Sequence, residues 1–262
     1  MSLQAEFLFW AAVLALTLFF AVLGCLRAGW QLGRRRLERE GAEANDGLGA
    51  VEASVFGLMG LLIAFSFNGA ATRFDHRRDL IVEEVNAIGT AWLRMGLLQD
   101  EAKTEVRELF KQYLDGRIAL YRGPDDSESI AKKREHVAAV QEAMWDRLMI
   151  AVREDRSLPL ATAVLPPVNE MFDIAEARHW VTWQHPPIAI FLMLVLLVLV
   201  SAFMAGFGMA KARSPSMLHL AGFAAATALA IYLILDLEFP RLGFVRVDDF
   251  DQALIELRES ME

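Results

Sequence analysis

Four uncharged apolar runs organise the chain: residues 7–26, 53–71, 188–210 and 218–235. An α-helix rises about 1.5 Å per residue and bilayer hydrocarbon is about 30 Å thick, so roughly 20 apolar residues span it. Lipid offers no hydrogen bonds to a peptide group, which predicts that each run is a membrane-crossing helix. Between the second and third runs the pattern becomes amphipathic at helical spacing. Phe74, Ile81, Val85, Ile88 and Trp92 share one face of a helix over 72–98. Val106, Leu109, Phe110, Tyr113, Leu114 and Ile118 do the same over 100–121, and Val137, Val140, Met144, Leu148 and Ala151 over 130–152. A fourth helix is predicted over 160–183, interrupted at Pro166-Pro167. Turn residues at 123–127 and at Ser157-Leu158-Pro159 separate these segments.

The pattern therefore predicts an all-α protein: four transmembrane helices with an inserted extramembrane antiparallel four-helix bundle. The expected organisation is residues 1–71 for the first two spans, 72–184 for the bundle, 185–236 for the last two spans, and 237–262 for an amphipathic C-terminal tail. In that tail, Leu254, Leu257 and Met261 share a face.

Composition narrows the class further. The chain has 262 residues, 55% of them hydrophobic, yet 23% are charged, and the charge lies outside the four runs. A net charge of −8 argues against nucleic acid as a partner. Cys25 is the sole cysteine, so no intrachain disulfide can form. Arg27, Arg34, Arg35, Arg36 and Arg39 follow the first run, and Lys211 and Arg213 follow the third. The positive-inside rule then assigns both short loops to the cytoplasm, with the bundle and both termini on the periplasmic side of a bacterial inner membrane.

The second run carries the richest pattern. Gly57, Gly60 and Ala64, continuing to Asn68, form a small-residue stripe of the kind that lets helices pack closely. Leu58, Leu61, Leu62 and Phe65 lie largely on another face; apolar rings around a symmetry axis can constrict a pore by dewetting. Ordinary lipid-facing packing is the plainer account of the same spacing. Arg73, Arg77 and Arg78 follow at once and could supply positive charge at a pore mouth. Asp236 and Glu238, at the end of the last run, are expected to pair with nearby arginines.

In the bundle, Glu84, Asn86 and Arg94 on the first helix are placed to form a polar seam with Asn169, Asp173 and Arg178 on the fourth. Glu176-x-x-His179 is half of a di-iron signature without its second copy. No phosphate loop, nucleophile elbow, CxxC pair or HExxH occurs, so neither an enzyme nor a metal or other cofactor is expected.

Four stretches carry a resemblance: AFSFNGAATRFDHRR at 64–78, EVNAIGTAWLRMGLL at 84–98, VNEMFDIAEAR at 168–178 and LDLEFPRLGFVRV at 235–247. Together they resemble the bestrophin-like family of bacterial integral membrane proteins, over nearly the whole chain. A remoter similarity runs to the bestrophin anion channels, pentamers whose second helix lines a central pore narrowed by apolar rings. That resemblance implies a homo-oligomer, inorganic anions as the permeant species, and Leu61 and Phe65 at the neck. It does not extend to the acidic calcium clasp of animal bestrophins, of which Asp248-Asp249-Phe250-Asp251 is only an echo. An anion channel is thus expected, with a non-conducting membrane scaffold or sensor as the competing expectation.

Overall fold

The computed structural model describes residues 3–41, 49–121, 127–156, 158–212 and 215–261. Every α-helix or strand element among them is a helix: α1 (Leu3–Glu40), α2 (Gly49–Arg94), α3 (Asp100–Tyr121), α4 (Ser127–Asp155), α5 (Leu158–Val181), α6 (Ile188–Gly208), α7 (Met217–Glu238) and α8 (Asp248–Glu259). α1, α2, α6 and α7 are each long and apolar enough to cross a membrane. Residues 123–126 of the predicted turn at 123–127, Ser157 of the second predicted turn and the basic residue Arg213 lie outside the described residues.

The chain divides into two compact units. The first comprises residues 1–74 and 185–245, the second residues 75–184 and 246–262. α2 runs unbroken through 46 residues and contributes to both.

In the first unit α1 packs along α6 and, less extensively, along α7. Leu18, Val22 and Leu26 of α1 share a core with Leu194, Val198 and Ala202 of α6 and with Ala224, Ile231 and Ile234 of α7. Glycine sets how closely α1 and α6 approach. A Cβ on Gly206 would lie 2.0 Å from the Leu26 carbonyl oxygen, and one on Gly29 2.0 Å from that of Phe203. The spacing Gly29-x-x-x-Gly33 against Ala202-x-x-x-Gly206 is a small-residue motif on each side. α1 also continues well past its apolar run. Its arginine-rich end stays helical through the i,i+4 pairs Arg34–Glu38 and Arg36–Glu40, then stops at Gly41, whose φ of +89° suits a helix terminator.

The second unit has its own core. Ile88 and Ala91 of α2, Phe110, Tyr113 and Leu114 of α3, Met144 and Leu148 of α4, and Val168 and Met171 of α5 are all buried in it. The five residues predicted to share the α4 face are all buried. α8 belongs to the same core through Leu254, joined by Met261 just past its end, and Arg258 ties it to Asp115 of α3 at 2.9 Å.

One prediction needs correcting: α5 is not interrupted at Pro166-Pro167. Each proline removes one backbone N–H from the ladder. The burial of Val164, Val168 and Met171, all at 0% exposure, offsets that loss, so packing overrides propensity here. Pro159, by contrast, stands at the second residue of α5, where the N–H would have no intrahelical partner anyway.

Candidate functional site

The apolar part of α2 is the least covered of the four candidate spans. Only 6% of its most apolar window is buried, against 33% for α7. Successive residues turn about 100° around a helix. Phe56, Met59, Leu62, Ile63 and Ala70 therefore share the side that meets the core of the first unit. Gly57, Leu58, Gly60, Leu61, Ala64, Phe65 and Asn68 make up the opposite arc, and all seven are exposed. The stripe and the apolar row are thus two edges of one continuous face. A Cβ added to Gly57 or Gly60 would meet nothing within 4 Å. Asn68 stands on that face within the apolar run, and among the described residues its side-chain amide has no partner.

Beyond this face the helix meets a charged collar. Arg73 forks onto Glu238 at the end of α7, its Nε donating to Oε1 at 2.9 Å and to Oε2 at 3.1 Å. Glu238 is only 1% exposed, and His185 Nδ1 lies 3.5 Å from Oε2. The His185 ring stacks on Phe239 with centroids 4.8 Å apart. Two residues earlier in the chain, Asp236 closes the following loop: its carboxylate accepts hydrogen bonds from the backbone N–H groups of Phe244 at 2.7 Å and Val245 at 2.8 Å. Gly243 is required there, because a Cβ would stand 2.5 Å from Asp236 Oδ1. The stretch from Asp236 to Val245, within the 235–247 segment that carries the family resemblance, thus encodes a capped loop that fixes the end of α7. A cavity of about 240 Å³ adjoins the collar, lined by Leu62, Phe65, Ser66, Phe191, Ile234 and Arg73 among others.

The three arginines named as mouth charges are all engaged. Arg73 is neutralised by Glu238. Arg77 is buried and donates to the carbonyl of Gln184 at 2.9 Å and that of Val181 at 3.4 Å, serving the open C-terminal end of α5. Arg78 lies 3.5 Å from Asp75, with its guanidinium over the Phe250 ring.

In the second unit the polar seam takes a different membership from the predicted one. Glu84, fully buried, accepts from Arg117 Nε at 2.5 Å and from Arg178 Nη1 at 2.6 Å. Arg178 also pairs with Asp251 of α8 and lies over the Tyr121 ring, while Arg117 donates to the Tyr121 hydroxyl at 2.9 Å. Asn86, Arg94, Asn169 and Asp173 are exposed, and Asn169 donates to Asp173 on its own helix at 2.8 Å. Burial pushes the Glu84 carboxyl up, but the guanidinium groups of Arg117 and Arg178 outweigh it and hold the carboxyl below the usual carboxylate range. Arg117, Tyr121 and Asp251 carry no motif; their only sequence signal is polar character on otherwise apolar-patterned helices. Among the described residues no group of three or more His, Cys, Asp or Glu is placed to hold a metal ion. His179 packs instead beside the rings of Trp180 and Trp183.

A helical membrane protein whose second helix keeps one face exposed is the class these features define. A bestrophin-like domain matches residues 18–250, and the chain belongs to the bestrophin-like family. No curated protein matches the chain.

Proposed function

We propose that this protein is a homo-oligomeric anion channel, not an enzyme, with the exposed face of α2 turned toward a shared axis. The observation that carries this reading is Asn68, an unpartnered amide within the apolar run on a face of glycine, alanine and apolar rings. In hydrocarbon such an amide needs a partner or water, and the uncovered Gly57 and Gly60 leave room for a second helix to approach closely. Copies of α2 around an axis would supply close packing at Gly57, Gly60 and Ala64, an apolar neck at Leu58, Leu61 and Phe65, and water at Asn68. The resemblance to bestrophin channels makes a pentamer the expected stoichiometry. In this reading residues 75–184 form an antiparallel helical bundle outside the inner membrane, on the periplasmic side with both termini.

Anion preference in this reading does not come from a free positive mouth, because Glu238 balances Arg73. It follows that Glu238→Gln, which releases that charge, should raise the anion-to-cation permeability ratio by about two- to fivefold. The primary test is flux from liposomes holding the purified oligomer. Phe65→Ala should change chloride flux at unchanged particle mass; equal flux, or none from the native protein, would remove the channel.

A second reading has its own support in the unbroken 46-residue α2, which is shared by both units. A continuous rod suits a non-conducting sensor or scaffold whose second unit binds a partner. Particle symmetry separates the two readings: rotational symmetry with an axial path favours conduction, whereas a monomer or a dimer without one favours the sensor.

A further inference from the structure

Where the apolar run of α1 ends, α1 and α7 leave a groove of about 450 Å³ between them. That volume lies within the range of sites that hold a small ligand. Leu23, Gly24, Met217 and Leu220 give it an apolar lining, and a Cβ on Gly24 would meet nothing within 4 Å. Trp30 forms part of the lining, its indole N–H donating to the Ala212 carbonyl at 3.4 Å, with the Arg34 guanidinium 5.4 Å above its ring. Arg27 is the one charged residue of the lining. It is exposed, and among the described residues its guanidinium has no hydrogen-bond or ion-pair partner.

We propose that this groove binds an anionic phospholipid, with one acyl chain against Leu23, Gly24 and Leu220 and the phosphate paired with Arg27. The groove bridges two solvents. Arg27 is the first charged residue after the apolar run of α1, and Met217 opens α7 on the way into its own apolar run. A ligand there needs a greasy part and a charged part joined at the hydrocarbon boundary, which describes a phospholipid and not a free anion. A guanidinium fork matches phosphate geometry, and tryptophan prefers the same interfacial level. Net negative charge in the lipid is favoured because residues 27–40 carry five arginines against two glutamates.

The full-length protein in a non-ionic detergent tests this through tryptophan quenching by lipids with brominated acyl chains. The signal of interest is the quenching that disappears in Trp30→Phe. It should saturate at about fivefold lower concentration with phosphatidylglycerol than with phosphatidylcholine, the factor that one basic side chain near a charged surface supplies. Arg27→Gln, which breaks no described contact, should make the two lipids equivalent. Gly24→Leu, which fills open space, should abolish the Trp30 signal with either. Millimolar inorganic phosphate should leave the signal unchanged. The proposal is overturned by absence of a Trp30-dependent component, by equal lipid affinities in the native protein, by a preference that survives in Arg27→Gln, by quenching that persists in Gly24→Leu, or by displacement with inorganic phosphate.

Discussion

Between Gly49 and Ala71, α2 leaves most of its side chains uncovered, whereas between Arg77 and Ala91 the same helix buries Arg77, Leu80, Ile81, Glu84, Ala87, Ile88 and Ala91. The uncovered half is rich in glycine, alanine and apolar rings; the buried half carries an acid clasped by two arginines. Buried and exposed stretches thus coexist on a single helix, and length or helical periodicity alone does not distinguish them. The glycines make the same point. Gly29 and Gly206 lie against backbone at the α1–α6 crossing, while Gly57 and Gly60 touch nothing.

The sharpest way to break this contrast is at Glu84. Glu84→Gln leaves two buried guanidiniums without their shared anion and should destabilise the second unit by about 3–5 kcal/mol, read as a lower midpoint in thermal unfolding of the purified protein. Gly206→Leu should come next. Its first added carbon already collides with the Leu26 carbonyl, so α1 and α6 must separate, at about 3 kcal/mol or more, and the yield of monodisperse protein should fall.

Acid should act on the buried half of α2 through Glu84. Because the folded-state pKa of Glu84 is depressed, its contribution is fully present above the unfolded value near 4.5 and is lost as pH falls through the lower folded value. Melting curves between pH 3 and 6 should show this decline in the native protein and a flatter profile in Glu84→Gln. The smallest effect on stability belongs to the bare half. Gly57→Leu should change the stability of the folded chain by under about 0.5 kcal/mol, read from thermal unfolding. It should nonetheless lower the particle mass measured by light scattering; an unchanged mass would show that this face does not join copies.

Local pattern was enough for the helical class, the four apolar spans and the buried face of α4, because 3.6-residue periodicity and hydropathy are properties of short windows. It was not enough where a partner is distant in sequence. Glu84 and Arg178 could be nominated together from polar residues on two predicted helices, but Arg117 lies 33 residues from Glu84 and Asp251 lies 73 from Arg178. Only the packing of α3 and α8 brings them in. Gly29 and Gly33, the α1 glycines of the α1–α6 crossing, lie past the first charged residue after the α1 run, where a hydropathy reading no longer looks for helix packing. The two prolines of α5 misled for a related reason: a rule about single residues met a core that rewards continuity. The exposed arc of α2 was legible as two separate stripes, and only the placement of Met59 and Ala70 against the core joins them into one.

The pairing of Arg73 with Glu238 also carries a lesson about biosynthesis. A solitary carboxylate at the end of a membrane helix is expensive to desolvate. The ribosome, however, delivers residue 73 long before residue 238, and chains order themselves from the N-terminus as they emerge. The cation is therefore already waiting when the final helix enters the bilayer, and the acid acts as a latch that holds this helix in place once it arrives.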